Sequence, residues 1–398
     1  MNSLNKFKFK KILFVSYFFP PNEDPQAIQI GRLAKYMKAE ITIICGGKNN
    51  YTKNKKNKTF RYKYFPKSNF YINYILNRIC IPDKFIFWNL LTSIRLLILF
   101  RRKYDLIITF GQPMSSHILG LIISKVFKIK WITHFSDPWF ENIYSDNKYI
   151  KDFFNKHLEK LVFLNSYKSF FTNKYIRNNF IERYGEIHKN KTYLIPHSFE
   201  KKQFYFQQNN KKDIFTLRHL GSFYGERNPR LLLEALIILY ENGYEFFKNI
   251  KVEFIGNISR RIKIDDLLKR LPKKSIIFRK KVRYKKSLEL MSSSSLLISI
   301  DAKLNKNLFL PSKIIEYLGS LKPIFVLSTP GPSIDLVKKF DYYYDDSFIA
   351  NSVALNLKES IKKIQNNNKL DKSKLKEIQF YEAKNIARIF ENKINKEI

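Results

Sequence analysis

The chain has 398 residues, 44% of them hydrophobic and 16% aromatic, which is enough apolar material for two folded domains and excludes a disordered protein. Lysine and arginine number 73 against 34 acidic residues, giving a net charge of +39 and a pI near 9.9. This charge favours an anionic partner such as nucleic acid, lipid or substrate, although a basic composition spread along the whole chain explains it equally well. The two cysteines, Cys45 and Cys80, do not indicate a disulfide framework, and no Cys/His group has zinc-ligand spacing.

The basic N-terminus runs directly into an apolar strand at residues 12–18, without the long apolar run and cleavage site of a signal peptide. The most apolar window, residues 86–100, contains Asn89 and Arg95 and is too short to span a membrane. We therefore expect a cytoplasmic protein, with a peripheral position on the inner face of the cytoplasmic membrane left open.

The first elements predict a β-α-β unit. A helix at residues 26–38 follows the first strand, and residues 41–47 form the second strand. The intervening loop and helix start read PPNEDPQAIQIGR and include Asn22, Gln26 and Gly31. The unit is Rossmann-like but lacks Gly-x-Gly-x-x-Gly, so nothing here indicates NAD.

A basic segment and an apolar helix come next. Residues 49–68 are rich in Lys, Asn and Tyr and predict a solvated loop or hairpin that could reach an anionic membrane surface. Residues 82–103 predict a helix in which Leu90, Leu91, Ile94, Leu97 and Ile98 form a buried stripe. Phe87 and Trp88 of the same helix could lie at a lipid interface, and core packing is the favoured alternative.

Strand and helix then alternate, as a parallel sheet requires. Gly111, His134 and Asp137 each follow an apolar run and should lie at the carboxyl ends of strands, where binding groups collect. Pro138 restricts the backbone of Asp137, which would hold its carboxylate in one orientation. Asp137 could orient a hydroxyl or stabilise positive charge, and His134 could exchange a proton near neutral pH. The alternatives are a helix-capping Asp137 and a core His134.

The second half offers two phosphate-binding features. After the strand at residues 215–220, Gly221 and Ser222 allow the backbone to approach a phosphate, and Arg227 could pair with it bidentately. Farther on, Pro311-Ser312-Lys313 opens an amphipathic helix whose free N–H groups suit a diphosphate. Glu316, one turn into this helix, could accept hydrogen bonds from ribose hydroxyls. The alternatives are a solvated Arg227 and an ordinary helix of an α/β domain.

These motifs resemble a known family. The run from Pro311 to Leu318, Pro-Ser-Lys-x-x-Glu-Tyr-Leu, is similar to the donor-site helix of GT-B glycosyltransferases, in particular glycosyltransferase family 4. Asp137-Pro138-Trp139 resembles the bacterial surface-polysaccharide branch of that family. The resemblance implies two Rossmann-like α/β/α domains with parallel sheets facing a central cleft. Residues 1–200 would bind the acceptor, residues 201–375 the nucleotide sugar, and residues 376–398 would form a helix crossing back to the first domain.

The resemblance also implies roles for individual residues. Glu316 would bind the ribose, while Arg227 and Lys313 would hold the diphosphate together with Gly221, Ser222, Pro311 and Ser312. The acceptor side would include Asn22, Gln26, Gly31 and Gly111, with Asp137 and His134 as catalytic candidates. Leu308 stands where the family has the first of two glutamates, and Ser222 stands where it often has an arginine, for which Arg218 is a candidate substitute.

The implied activity is transfer of a hexosyl or N-acetylhexosaminyl group from a UDP- or GDP-sugar to a glycan or lipid-linked acceptor in cell-surface polysaccharide biosynthesis. The family implies retention of anomeric configuration, no required metal and no cofactor besides the donor substrate, and we expect no specific nucleic-acid binding. Two alternatives remain. One is another GT-B enzyme such as a sugar-nucleotide epimerase, and the other is a non-catalytic basic binding protein on a degenerate transferase fold.

Overall fold

A computed structural model of the chain describes residues 9–47, 50–53, 56–62, 75–76, 79–99, 104–143, 148–204, 214–366 and 372–396. The chain divides into two compact units. The first unit comprises Met1–Pro196 and Ala383–Ile398, and the second comprises His197–Glu382. The second unit is therefore inserted between two segments of the first.

The first unit is built on a twisted sheet of eight strands among the described residues, in the order β3-β4-β2-β1-β5-β6-β7-β8. All neighbouring strands are parallel except β3 and β4. The central strands are buried along almost their whole length, because helices cover both faces of a parallel sheet. The strands are β1 (Lys11–Val15), β2 (Glu40–Gly46), β3 (Asn50–Lys53), β4 (Lys58–Tyr62), β5 (Leu106–Phe110), β6 (Lys130–Phe135), β7 (Lys168–Phe171) and β8 (Thr192–Leu194). The helices are α1 (Pro25–Tyr36), α2 (Ile86–Leu99), α3 (Ser115–Phe127), α4 (Lys148–Asn165) and α5 (Lys174–Tyr184).

The second unit has a six-stranded parallel sheet in the order β11-β10-β9-β12-β13-β14. Its strands are β9 (Phe215–Leu220), β10 (Ile250–Ile255), β11 (Ile276–Arg279), β12 (Leu296–Ile300), β13 (Ile324–Leu327) and β14 (Tyr343–Asp345). Its helices are α6 (Arg230–Glu241), α7 (Asp265–Leu268), α8 (Tyr284–Ser292), α9 (Ser312–Gly319), α10 (Pro332–Lys339), α11 (Ala350–Gln365) and α12 (Lys372–Gln379). Two α/β units with parallel sheets confirm the predicted fold class.

The last helix, α13 (Ala383–Asn395), belongs to the first unit. Its Phe390 is fully buried in the core of that unit, and the Glu391 carboxylate accepts hydrogen bonds from the backbone N–H groups of Lys38 (2.5 Å) and Ala39 (2.8 Å). The Lys168 ammonium donates to the carbonyl oxygens of Lys393 (2.8 Å), Ile394 (3.1 Å) and Lys396, which satisfies the open C-terminus of α13.

The prediction of one continuous final helix over residues 376–398 is wrong. Helix α12 ends at Gln379 and α13 begins at Ala383, and Glu382 between them forms a bridge with Phe199. The chain leaves the second unit at this break, since Glu382 is the last residue of that unit.

The predicted orientation of α2 is also wrong. Leu90, Leu91 and Ile94 are 47%, 47% and 56% exposed, whereas Trp88, expected at a lipid interface, is only 1% exposed. The helix packs through Trp88, Asn89 and Thr92, so Leu90, Leu91 and Ile94 are left exposed. The side chains of Leu97 and Ile98 lie outside the described part of the chain.

Some predictions concern segments without a description. Residues 205–213 of the predicted linker, residues 63–68 of the basic segment and residues 101–103 after α2 lie outside the described residues. In the ranges that are described, no helix has both the length and the apolar character needed to cross a bilayer. Nor do those ranges contain a cluster of three or more His, Cys, Asp or Glu side chains placed to hold a metal ion.

Candidate functional site

The loop after β9 is fixed at the carboxyl edge of the second sheet. Gly221 donates its backbone N–H to the Ile255 carbonyl at 3.0 Å, and the Ser222 hydroxyl accepts from the Asn257 N–H at 3.2 Å. A Cβ on Gly256 would lie 2.0 Å from the Gly221 carbonyl oxygen, so the two loops touch through backbone alone. Small residues thus hold the Gly221 loop against the end of β10.

The start of α9 lies beside this loop. Helix α9 begins at Ser312, and its N-cap residue Pro311 forms no side-chain capping hydrogen bond with the first N–H groups. The Tyr317 hydroxyl accepts a hydrogen bond from the Leu220 N–H at 2.9 Å, which ties the helix to the residue preceding Gly221. The structure therefore brings the two predicted phosphate-binding stretches to one edge of the sheet.

Glu316 is buried on the same helix with both carboxylate oxygens engaged. One oxygen accepts from the Tyr284 hydroxyl at 2.8 Å, and the other accepts from the Lys313 ammonium at 3.2 Å. Each carboxylate oxygen has two lone pairs, so Glu316 retains capacity to accept a further hydroxyl. Lys313 keeps 31% of its side chain exposed and can contact a ligand from this position.

Arg227 has a partner that the sequence did not indicate. Its Nη2 atom lies 3.8 Å from Oδ1 of Asp301, the residue directly after β12. The other Asp301 oxygen accepts from the Ser333 hydroxyl at 2.7 Å. Burial raises the pKa of Asp301, and the positive charge of Arg227 partly offsets that rise. An aspartate that directly follows a buried strand was the available signal, because such positions lie at the carboxyl edge of the sheet.

His219, one strand position before Leu220, lies beneath the loop. Its Nδ1 donates to the Ile298 carbonyl at 3.0 Å, its ring stacks on Phe223, and its buried Nε2 has no hydrogen-bond partner. Burial lowers the pKa of His219 to about 3, and the positive charges of Arg227 and Lys313 act in the same direction. Arg227 and Lys313 therefore both lie close enough to His219 to act on its ring.

Arg218 has a different role from the one expected. Its Nε donates to the Glu253 carboxylate at 2.5 Å and its Nη1 donates to the Leu290 carbonyl at 3.1 Å, both in the interior of the unit. The interpretation of Arg218 as a substitute for an arginine at the Ser222 position is wrong, since its guanidinium is held in the core.

In the first unit, residues distant in sequence meet at the carboxyl ends of β5 and β6. The Ser136 hydroxyl donates to the side-chain oxygen of Gln26 at 3.0 Å, and the Gln26 amide donates to the Gly111 carbonyl at 2.8 Å. All three groups are buried. The predicted acceptor-side residues Gln26 and Gly111 are thus placed together, next to the Asp137 loop.

Asp137 is held by Gln112, which the sequence argument missed. The Gln112 amide donates to Oδ2 of Asp137, and Gln112 has a φ of 61°, in the left-handed region that non-glycine residues rarely occupy. Such a conformation often marks a functional site. The next residues are fixed as well, because the Trp139 indole donates to Asn155 at 3.0 Å.

The far end of the Asp137 loop rests on Glu159. This fully buried carboxylate accepts from the Phe140 N–H (2.8 Å), from Arg183 (2.5 Å) and from the Tyr184 hydroxyl (2.7 Å). Burial raises the pKa of Glu159, while Arg183 lowers it. This buried group therefore anchors the loop from beneath.

The structure does not group three other predicted site residues with Asp137. His134 is buried, and its ring centroid lies 5.3 Å from that of Phe110 and 6.4 Å from that of Phe390, an environment typical of a core residue. Asn22 lies in a turn and accepts from the Asp24 N–H at 2.8 Å. Gly31 lies within α1, where a Cβ would be 2.6 Å from Pro20 Cγ. Their site roles stay predictions.

Comparison with known proteins identifies a fold but no family. No protein-family model matches the chain, and no curated protein matches it. Among solved structures it is similar to a sucrose-phosphate synthase from Thermosynechococcus elongatus (TM-score 0.68, 14% identity, 96% of this chain and 98% of that one). It is also similar to Anabaena HepE in complex with UDP-glucose (TM-score 0.66, 12% identity, 96% of this chain and 99% of that one). A third similar structure is the trehalose-6-phosphate synthase OtsA (TM-score 0.69, 12% identity, 98% of this chain and 99% of that one). These likenesses show the GT-B fold for nearly the whole chain.

Proposed function

We propose that the protein is a glycosyltransferase that moves a hexosyl or N-acetylhexosaminyl group from a UDP- or GDP-sugar to a glycan or lipid-linked acceptor. Its place would be cell-surface polysaccharide biosynthesis in the cytoplasm, as the resemblance to glycosyltransferase family 4 implies. The reaction would retain anomeric configuration and require neither a metal nor a cofactor besides the donor.

One observation carries the proposal. The Gly221 loop, the uncapped start of α9, and the cations of Arg227 and Lys313 lie together at the carboxyl edge of the second sheet. Such edges bind nucleotides in open α/β sheets, and free N–H groups with cations suit a diphosphate. One structural neighbour, HepE, is a complex with UDP-glucose, which supports a nucleotide sugar as the donor.

The chemistry follows from these charges. As the bond between sugar and diphosphate breaks, the leaving diphosphate gains negative charge and the sugar gains positive charge. Arg227, Lys313 and the first N–H groups of α9 would stabilise the diphosphate, while Glu316 would hold the ribose hydroxyls. In the first unit, Asp137 would orient the acceptor hydroxyl, and Gln112, Gln26 and Ser136 would hold the loop that carries it.

Titration calorimetry with UDP and GDP, followed by labelled nucleotide sugars with lipid-linked acceptors, tests this proposal. We expect heat from one nucleotide and transfer that depends on the acceptor. Conversion of the sugar nucleotide without an acceptor would indicate an epimerase. Absence of heat with both nucleotides would refute the transferase proposal and favour the alternative of a non-catalytic binding protein.

The location is a further part of the proposal. The net charge of +39 supports a peripheral position at an anionic membrane surface, where a lipid-linked acceptor would be available. Specific nucleic-acid binding is not part of the proposed function.

A further inference from the structure

Helix α2 carries an apolar stripe that faces away from its own domain. Phe87, Leu90, Leu91 and Ile94 are 44%, 47%, 47% and 56% exposed. Leu90, Leu91 and Ile94 follow Phe87 by three, four and seven residues, which places all four side chains on one side of the helix. A row of large apolar side chains on an otherwise folded surface marks an interaction site more often than scattered single residues do.

The opposite side of α2 is firmly packed, so the exposure does not arise from a loosely attached helix. Trp88 and Leu96 are each 1% exposed, and the Trp88 indole donates to the Tyr62 carbonyl at 3.2 Å. This bond attaches α2 to β4, near the edge of the sheet. The structure therefore holds the apolar stripe in a fixed position.

The segment of sequence that contains the stripe is strongly basic. Between Lys48 and Tyr104 the sequence contains fourteen Lys or Arg and a single acidic residue, a net charge of +13 within the total of +39. That acid, Asp83, accepts hydrogen bonds from the backbone and side chain of Ser115 at 2.9 and 2.7 Å. One third of the net charge thus lies on the part of the sequence that bears the stripe.

We propose that the α2 stripe docks onto an anionic lipid bilayer, with the helix lying in the plane of the interface. An exposed apolar helix face on a basic segment suits acyl chains beneath acidic headgroups. A nucleic acid would bind the cations but would leave the leucines in water. A second copy of the chain would bring its own +13 against the first. The inference deepens the proposed peripheral location and does not depend on transferase activity.

Vesicle co-sedimentation tests the proposal, with phosphatidylcholine vesicles prepared with and without phosphatidylglycerol at low and high salt. The wild-type protein should sediment with the anionic vesicles and should be released by salt. The triple variant Leu90→Gln/Leu91→Gln/Ile94→Gln should lower the partition coefficient about tenfold or more. The single variant Ile94→Gln, milder for folding, should lower it severalfold. Lys53→Glu with Lys84→Glu should remove the preference for anionic vesicles.

The matched control is Leu355→Gln, because Leu355 is a 59% exposed leucine on α11 in the second unit. This change should leave partition unchanged. The proposal is overturned if wild type ignores anionic vesicles, or if the triple variant sediments as wild type does. It is also overturned if light scattering shows a dimer that the triple variant dissociates, or if the wild type prefers RNA over the anionic vesicles. None of these results bears on nucleotide binding, which calorimetry measures separately.

Discussion

Nη2 of Arg227 and Oδ1 of Asp301 lie 3.8 Å apart at the carboxyl edge of the second sheet. The distance exceeds that of a direct hydrogen bond, so the carboxylate attracts the guanidinium electrostatically. Because Ser333 holds the other carboxylate oxygen at 2.7 Å, Asp301 is a fixed charge against which Arg227 is oriented.

A double-mutant cycle on UDP or GDP affinity tests this relationship. We expect Arg227→Ala to cost about 1.5–3 kcal/mol of binding free energy. Asp301→Asn should weaken binding about tenfold in the wild-type background, because the guanidinium loses its orientation, and should have no effect when Arg227 is already alanine. Titration calorimetry gives all four affinities.

The control for Asp301 is Asp266→Asn, since Asp266 forms an exposed pair with Arg230 in the same unit. It should leave affinity unchanged. Tighter binding by Asp301→Asn would mean that Asp301 mainly repels the diphosphate, and equal losses in both backgrounds would make its role structural.

Glu316→Ala should weaken nucleotide binding by about 1–3 kcal/mol, since a buried carboxylate would no longer receive the ribose hydroxyls. Binding of inorganic pyrophosphate, which has no ribose, should change less. Glu289→Ala is the control, because Glu289 pairs with Lys286 on the exposed face of α8. An unchanged nucleotide affinity in a folded Glu316→Ala protein would remove this residue from the site.

Asp137→Asn should cut sugar transfer at least tenfold, about 1.4 kcal/mol in the barrier, while nucleotide affinity stays the same. Gln112→Ala should reproduce part of this loss, because it releases the Asp137 carboxylate without removing it. His134→Ala should reduce transfer less than Asp137→Asn does. Turnover with radiolabelled donor measures all three, and wild-type transfer by Asp137→Asn would leave the loop a structural role.

The buried His219 makes the stability of the second unit depend on pH. The folded pKa of His219 is about 3, whereas the unfolded chain binds that proton near the ordinary histidine pKa of 6.5. Between these values the unfolded state holds more protons, so stability falls as the pH decreases from about 6.5 toward 3, by up to about 1.4 kcal/mol per unit.

His219→Phe should flatten this dependence, since phenylalanine keeps the stacking on Phe223 but does not titrate. Denaturant melts at several pH values measure the slope. His157→Gln, on the exposed side of α4, serves as the control and should leave the slope as in wild type. An identical slope in His219→Phe and wild type contradicts the assignment.

Lys168→Met should destabilise the first unit by about 1–3 kcal/mol, because three carbonyl oxygens at the end of α13 lose a charged donor. Lys130→Met removes an exposed ammonium that lies 4.2 Å from the Tyr167 ring, and should cost much less. Guanidinium unfolding followed by tryptophan fluorescence reports the first unit, because Trp88, Trp131 and Trp139 all lie there. Equal effects of the two changes would contradict a capping role for Lys168.

The sequence predicted elements whose signal is local. Buried strands such as β5 and β12 are short apolar runs. Pro311 and Gly221 mark changes of backbone conformation that their residue types alone indicate. The sequence did not predict the orientation of α2, because a helix that is apolar on nearly all sides shows no contrast between its faces. Packing through Trp88 and Asn89 decided the orientation, and those partners lie elsewhere in the chain.

The same reasoning explains the missed site residues. Asp301, Gln112 and His219 owe their roles to groups far away in sequence, respectively Arg227, Asp137 and Ile298. No motif spans those separations. By contrast, Lys313 and Glu316 lie one helical turn apart, so a single short run was sufficient to predict that they would act together.

The insertion of His197–Glu382 between the two segments of the first unit determines the order of events during synthesis. Residues 1–196 emerge from the ribosome long before α13, whose Ile386 and Phe390 complete their core. The second unit is continuous in sequence and can fold while the first still exposes unfilled apolar surface. A chain truncated after Glu382 and released from the ribosome should therefore contain a folded second unit and a first unit that chaperones bind.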